Sequence, residues 1–244
     1  EGIVRVVKEV GERFGGLDIL VNNAGLATFH GIGEPGYEDT WALALDVMLT
    51  AHMRFVRAAL PMLKKSGEGR IVNVASTEGF GATPGNSPYV AAKHGVIGLT
   101  RALAVELGRE GVTANCICPG PIRTGITQEI PDEHKEIFAK RRVPLRRYGF
   151  PEEVAHVTLS VVLPASSYLN GVAIPVDGGM LVKNETEDRV RCVALSGDGE
   201  CLVVGGVNSH GNRPALGRLV PKGVMTHRSA LLLTVELLQS WLAF

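Results

Sequence analysis

The chain has 244 residues, 45% of them hydrophobic, with 30 glycines, enough to bury the core of one α/β domain rich in tight turns. Its 25 basic and 25 acidic residues cancel, which removes the electrostatic case for a nucleic-acid or membrane-surface partner. Cysteines at 116, 118, 192 and 201 and seven histidines show neither Cys-x-x-Cys nor His-Glu-x-x-His spacing, so no metal site is expected. With no secretory signal in view, the setting is read as reduced and cytoplasmic.

In chain order, Leu17-Asp-Ile-Leu-Val-Asn22-Asn23-Ala24-Gly25 is an apolar run closed by small polar residues, the pattern of a buried parallel strand feeding a loop. A helical pattern covers 37–63. The run 70–75 repeats the strand pattern and delivers Ser76 at its C-terminal end, and a second helical pattern covers 89–107. A third strand, 112–118, places Cys116 and Cys118 on one face as small buried hydrophobes. It enters Pro119-Gly120-Pro121-Ile122-Arg123-Thr124, a stiff turn whose glycine would allow close approach to a cofactor. A fourth strand, 172–176, ends in Asp177-Gly178-Gly179. Strands alternating with helices predict a doubly wound parallel sheet, with ligands just beyond the C-terminal strand ends.

The chemistry concentrates at Ser76, Tyr89 and Lys93. A phenol with a pKa of about 10 is a poor acid-base catalyst at neutral pH, and a fixed ammonium nearby would favour its phenolate. Tyr89 and Lys93 stand four apart, on one face of a helix, and Ser76 could hold the same substrate oxygen. Each residue alone has an ordinary structural reading: a turn serine, an amphipathic tyrosine, a solvated lysine. His94, about a hundred degrees around the helix from Lys93, is not expected to take part.

Together, Asn22-Asn23-Ala24-Gly25, Ser76, Tyr89-x-x-x-Lys93, Asn115, Pro119-Gly120 with Thr124, and Val176-Asp177-Gly178-Gly179 resemble the short-chain dehydrogenase/reductase family over 1–182, in its order and spacing. The likeness is to the broad group containing 3-oxoacyl-(acyl carrier protein) reductases. It implies a Rossmann-like sheet and hydride transfer between NAD or NADP and a small carbonyl or alcohol. Ser76 would position the substrate, Tyr89 transfer the proton, and Lys93 lower the tyrosine pKa and bind the nicotinamide ribose. Asn22, Asn23, Ala24 and Gly25 would lie beside the cofactor, and Pro119, Gly120, Ile122 and Thr124 would border its nicotinamide. The helices at 37–63 and 89–107 would form a homodimer or homotetramer.

Three departures qualify the likeness. By the family's pattern the sequence begins within the helix before the fourth strand. About two strand–helix units, on the order of 60 residues, then lie outside it, with the glycine-rich phosphate turn and the residue that chooses between NAD and NADP. The domain is therefore expected to be N-terminally truncated, leaving Ile19-Leu20-Val21 on an apolar edge. Second, Val47-Met48-Leu49 stands where the family carries Val-Asn-Leu, whose kinked backbone helps hold a water joining the lysine to solvent. A weakened proton relay is expected, by some part of the roughly 10²- to 10⁴-fold that acid-base assistance supplies.

Third, residues 183–244 extend past the family's usual end as a tail of uncertain fold. A charged joint at 183–189 precedes a hairpin pattern at 190–195 and 201–204, and 229–244 reads as a helix too short and polar for a membrane span. The basic run Lys140-Arg-Arg-Val-Pro-Leu-Arg-Arg147 reads as a solvated face, or else as attraction for an acidic carrier. The competing functional reading is a catalytically impaired remnant serving as an oligomerisation partner.

Overall fold

All four expected strands form in the computed structural model, as β1 (Ile19–Asn22), β2 (Arg70–Val74), β3 (Thr113–Pro119) and β4 (Ala173–Val176). They lie side by side in that order, all parallel. The structure describes residues 2–183, 190–195, 201–207 and 214–221. Alternation along the strands divides the core into two layers. Ile71 and Ala114 pack with Val7 of α1 (Gly2–Phe14), Val56 and Leu63 of α3 (Ala51–Ser66) and Leu103 of α4 (Ser87–Leu107). On the opposite face, Val72 and Ile117 meet Val161 of α6 (Pro151–Val162). Among the described residues β1 pairs with β2 alone, and Ile19 and Val21 are each 42% exposed, the apolar edge that the sequence predicts.

The helical pattern at 37–63 forms in three pieces: α2 (Tyr37–Leu45), a single π-helical turn at Asp46–Thr50, and α3. Met48 sits in that turn, fully buried against Ala44 and Ala92. The backbone irregularity therefore persists without an asparagine, filled by an adaptable thioether. Leu49 presses onto α4 at Gly95, where a Cβ would come within 2.7 Å of its Cδ2. Pro88 in the first turn of α4 supplies a preset φ, fixing where the helix that carries Tyr89 and Lys93 begins.

The chain divides into two compact units, Glu1–Lys183 and Asn184–Phe244. In the second, β5 (Val190–Leu195), β6 (Cys201–Val207) and β7 (Pro214–Pro221) make an antiparallel sheet in that order. β5 and β6 pair antiparallel over the stretch read as a hairpin, β6 running on to Val207, and β7 has no counterpart in the sequence reading. The helix expected at 229–244 lies outside the described residues. Among the described residues no helix is long and apolar enough to cross a membrane, and no three metal-binding side chains cluster.

Candidate active site

The site is assembled where β1, β2 and β3 end. Ser76 is the second residue after β2, in an extended conformation, and its Oγ accepts the Glu78 N–H at 3.1 Å, capping a 3₁₀ turn at Thr77–Gly79. That bond uses an acceptor lone pair and leaves the hydroxyl proton to donate. The turn lies directly on α4 because residue 79 is glycine: a Cβ there would stand 2.6 Å from Ile97 Cδ1 and 3.0 Å from the Lys93 carbonyl oxygen. Gly79 is thus what seats Ser76 against the Tyr89 face, a function the sequence reading missed. Its only signal was a small residue three positions after the strand-end serine.

Lys93, 3% exposed, donates to the Val74 carbonyl at 2.9 Å, with its ammonium 5.4 Å from the Tyr89 ring centroid. Burial lowers its pKa from 10.5 to about 8, against a smaller upward pull from Cys116 and Cys118. Those sulfurs, 3.8 Å apart, are buried free thiols, as their alternation on the strand suggests. The Tyr89 phenol is pushed above its usual 10, chiefly by burial; the Ser76 hydroxyl pulls it down and the Glu78 carboxylate up. The lowering expected from Lys93 is therefore not what dominates here. The ammonium addresses the ring face rather than the phenol oxygen, and desolvation of the phenolate prevails.

A cleft of about 870 Å³ brings together Asn23, Ala24, Gly25, Ser76, Tyr89, Lys93, Pro119, Gly120, Ile122 and Thr124. Asn22 does not line it. Strand alternation turns it into the sheet, where its Nδ2 donates to Asn73 Oδ1 at 2.8 Å; Asn73 Nδ2 donates to Thr100 Oγ1 at 2.9 Å, and Thr100 donates to the Val96 carbonyl at 2.7 Å. Asn115 is likewise structural, its amide donating to Leu169 O and accepting from Val172 N–H. Gly120 lines the cleft and also abuts the Asp177 turn. A Cβ there would meet Asp177 Cβ at 2.7 Å, so the close approach it permits is that of the Asp177 turn. The Asp177 carboxylate accepts the Gly179 and Leu181 N–H groups at 2.8 Å each. Thr124 opens a 3₁₀ turn at Gly125–Thr127, and the Thr127 hydroxyl binds the Ile122 carbonyl at 2.8 Å, stiffening that wall.

These residues fit the nicotinamide half of a dinucleotide. Apolar walls from Val21, Val74 and Ile122 suit a flat ring, while the Lys93 ammonium, Asn23 amide and Thr124 hydroxyl suit ribose and amide oxygens. A Cβ at Gly25 would lie 3.8 Å from Nζ, an ordinary van der Waals contact. A second cavity of about 270 Å³ shares Ser76 and Tyr89 and is walled by Phe29, Phe138, Tyr148 and Met180. In the basic run, Lys140 pairs with Glu136 at 3.1 Å and Arg147 grips Glu153 with two bonds of 2.7 and 2.8 Å, holding that carboxyl at about 2. Such pairing agrees with a solvated face.

Fold and cleft together define an α/β oxidoreductase with its site at the strand ends. Residues 1–181 match the family profile described as enoyl-(acyl carrier protein) reductase. The 3-oxoacyl-[acyl-carrier-protein] reductase FabG of Thermotoga maritima is 38% identical over 180 residues, 74% of this chain and 72% of that one. The D-beta-hydroxybutyrate dehydrogenase of Rhizobium meliloti is 37% identical over 189 residues, 72% of each. A gluconate 5-dehydrogenase from Burkholderia cenocepacia, solved with NADP and tartrate, superposes with a TM-score of 0.69 at 28% identity, covering 75% of this chain and 71% of its own. The chain belongs to the short-chain dehydrogenase/reductase family. It is by that membership an NAD(P)-dependent oxidoreductase acting between carbonyl and alcohol, and the oligomerisation-partner reading is not favoured.

Proposed function

We propose that Ser76, Tyr89 and Lys93 are the catalytic residues and that the substrate is a 3-oxoacyl compound or its 3-hydroxyacyl alcohol. Bound NAD(P) supplies or accepts the hydride. In the reducing direction the Tyr89 phenol gives its proton to the substrate oxygen while the Ser76 hydroxyl donates a hydrogen bond to the same atom. In oxidation the Tyr89 phenolate takes the alcohol proton. Lys93, pinned by Val74, holds a positive charge beside the phenolate as it forms.

The observation that carries this reading is the convergence of the three side chains on one cleft, with an apolar cavity opening on Ser76 and Tyr89. That cavity suits an acyl chain, in keeping with the 3-oxoacyl and β-hydroxybutyrate groups in the names of two relatives. Because Tyr89 stays protonated through neutral pH and Lys93 loses its charge above about 8, reduction should be level below pH 8 and decline above it. Purified chain, assayed with NADH or NADPH and a small 3-oxoacyl thioester, should oxidise the dinucleotide. Binding of the dinucleotide without turnover of the thioester, alongside turnover of a sugar acid, would overturn the substrate assignment.

We infer further a cytoplasmic homo-oligomer joined through 37–63 and 89–107. Exposed Leu43 and Val105, the latter 83% accessible, support that contact.

A further inference from the structure

Among the described residues, the cavity of about 270 Å³ that opens on Ser76 and Tyr89 has one charged side chain on its wall, Glu78, and no lysine, arginine or histidine. The cations of this region line other spaces. Lys93 lines the dinucleotide cleft, and Arg141, Arg142 and Lys183 line an adjoining cavity of about 730 Å³. Arg123, which acts on the Tyr148 phenol, donates to Asp132 at 3.4 Å and is not part of the wall.

Glu78 is held in place at three points. Its N–H donates to Ser76 Oγ at 3.1 Å, and its two carboxylate oxygens accept the Thr83 N–H at 2.9 Å and the Thr83 hydroxyl at 2.7 Å. Both carboxylate bonds come from a neutral residue, so they fix the group and leave its charge intact. The remainder of the wall, with Phe29, Ile126, Phe138 and Met180, is largely apolar, and apolar walls focus the field of a fixed charge on whatever enters. A carboxylate placed there would give up its hydration, find no cation to pair with and meet a like charge. A ketone carrying an ester or thioester meets none of these costs.

We propose that Glu78 is a specificity-determining residue that excludes free 3-oxo acids, 3-hydroxy acids and sugar acids from this cavity and reserves it for substrates that are neutral beside the reacting carbon. The inference rests on the reading of Ser76 and Tyr89 as the residues that hold the substrate oxygen.

The test uses the full chain, wild type and Glu78→Gln, with NADH or NADPH, and compares acetoacetate with its methyl ester, a pair that differs in charge at one end. Glutamine keeps an acceptor for the Thr83 N–H and a donor for the Thr83 oxygen, so the substitution removes the charge and not the bonds. The ratio of kcat/KM for ester over acid should be about 10-fold or more in wild type, and Glu78→Gln should lower it by about 10-fold. A folding defect or a displaced Ser76 falls on both substrates and cancels in that ratio. A wild-type ratio near one, or a ratio unchanged by Glu78→Gln, would overturn the proposal, and turnover of the ester would then leave the catalytic reading standing. If neither compound is reduced, the catalytic reading fails, and saturation-transfer NMR decides the inference by itself: Glu78→Gln should strengthen the acetoacetate signal relative to that of the ester, and equal relative signals in the two proteins, or binding of neither compound, would overturn it.

Discussion

Two buried polar clusters hang from the same sheet and differ in how their hydrogen bonds are met. In Asn22–Asn73–Thr100, donor meets acceptor at 2.7 to 2.9 Å from β1 through β2 to α4, and the chain of bonds closes on the Val96 carbonyl. In Ser76–Tyr89–Lys93, one bond fixes each of two residues, Glu78 N–H to Ser76 and Lys93 to Val74. The Ser76 proton and the other Lys93 N–H groups remain for a ligand, and burial displaces both ionisable groups from their ordinary titration. A closed network ties elements together; an open, desolvated one stores capacity that a substrate can use. Asn73 stands three residues before Ser76 and Thr100 seven after Lys93, so nearness along the chain does not separate the two clusters.

The contrast can be broken most severely at Tyr89. Tyr89→Phe should cost about 10²- to 10⁴-fold in kcat, measured by loss of reduced-dinucleotide absorbance, with little change in melting temperature. Ser76→Ala should follow at about 10²- to 10³-fold, the usual loss for one donor to a developing oxyanion.

The next effect is one of stability. The pKa of His52 is about 4 in the folded chain against 6.5 when free. As pH falls through that window the unfolded chain takes up the proton first, so folding weakens, by about 3 kcal/mol when complete. Urea midpoints at pH 7 and pH 4.5 should show this fall, and His52→Leu should flatten it. Asn73→Ala strands the Asn22 donor and removes the bond to Thr100, and should cost about 1–3 kcal/mol in a thermal melt. The smallest change is at the surface: Val105→Glu should leave turnover intact and shift the light-scattering mass toward monomer.

Much of this was legible in the sequence where one residue type has one physical use. The four strands, the helix holding Tyr89 and Lys93 four apart, and the paired thiols follow from periodicity and spacing. Asn22 was misplaced because adjacent asparagines point to opposite faces and the motif does not say which faces the cleft. Gly120 lines the cleft, but that its absent side chain also makes room for Asp177 is not visible in the sequence, since a turn glycine does not name its neighbour. Gly79 went unnoticed because its role exists only once α4 packs onto the turn after β2. Met48 was read as losing a polar function, and the structure adds that the π-turn survives it.

The most direct test sets kcat beside melting temperature for Tyr89→Phe and Asn73→Ala in the same preparation. The account predicts a crossing: Tyr89→Phe loses turnover and keeps its melting temperature, while Asn73→Ala loses melting temperature and keeps turnover where folded. Equal turnover in Tyr89→Phe and wild type, or parallel losses of both quantities in both variants, would contradict it.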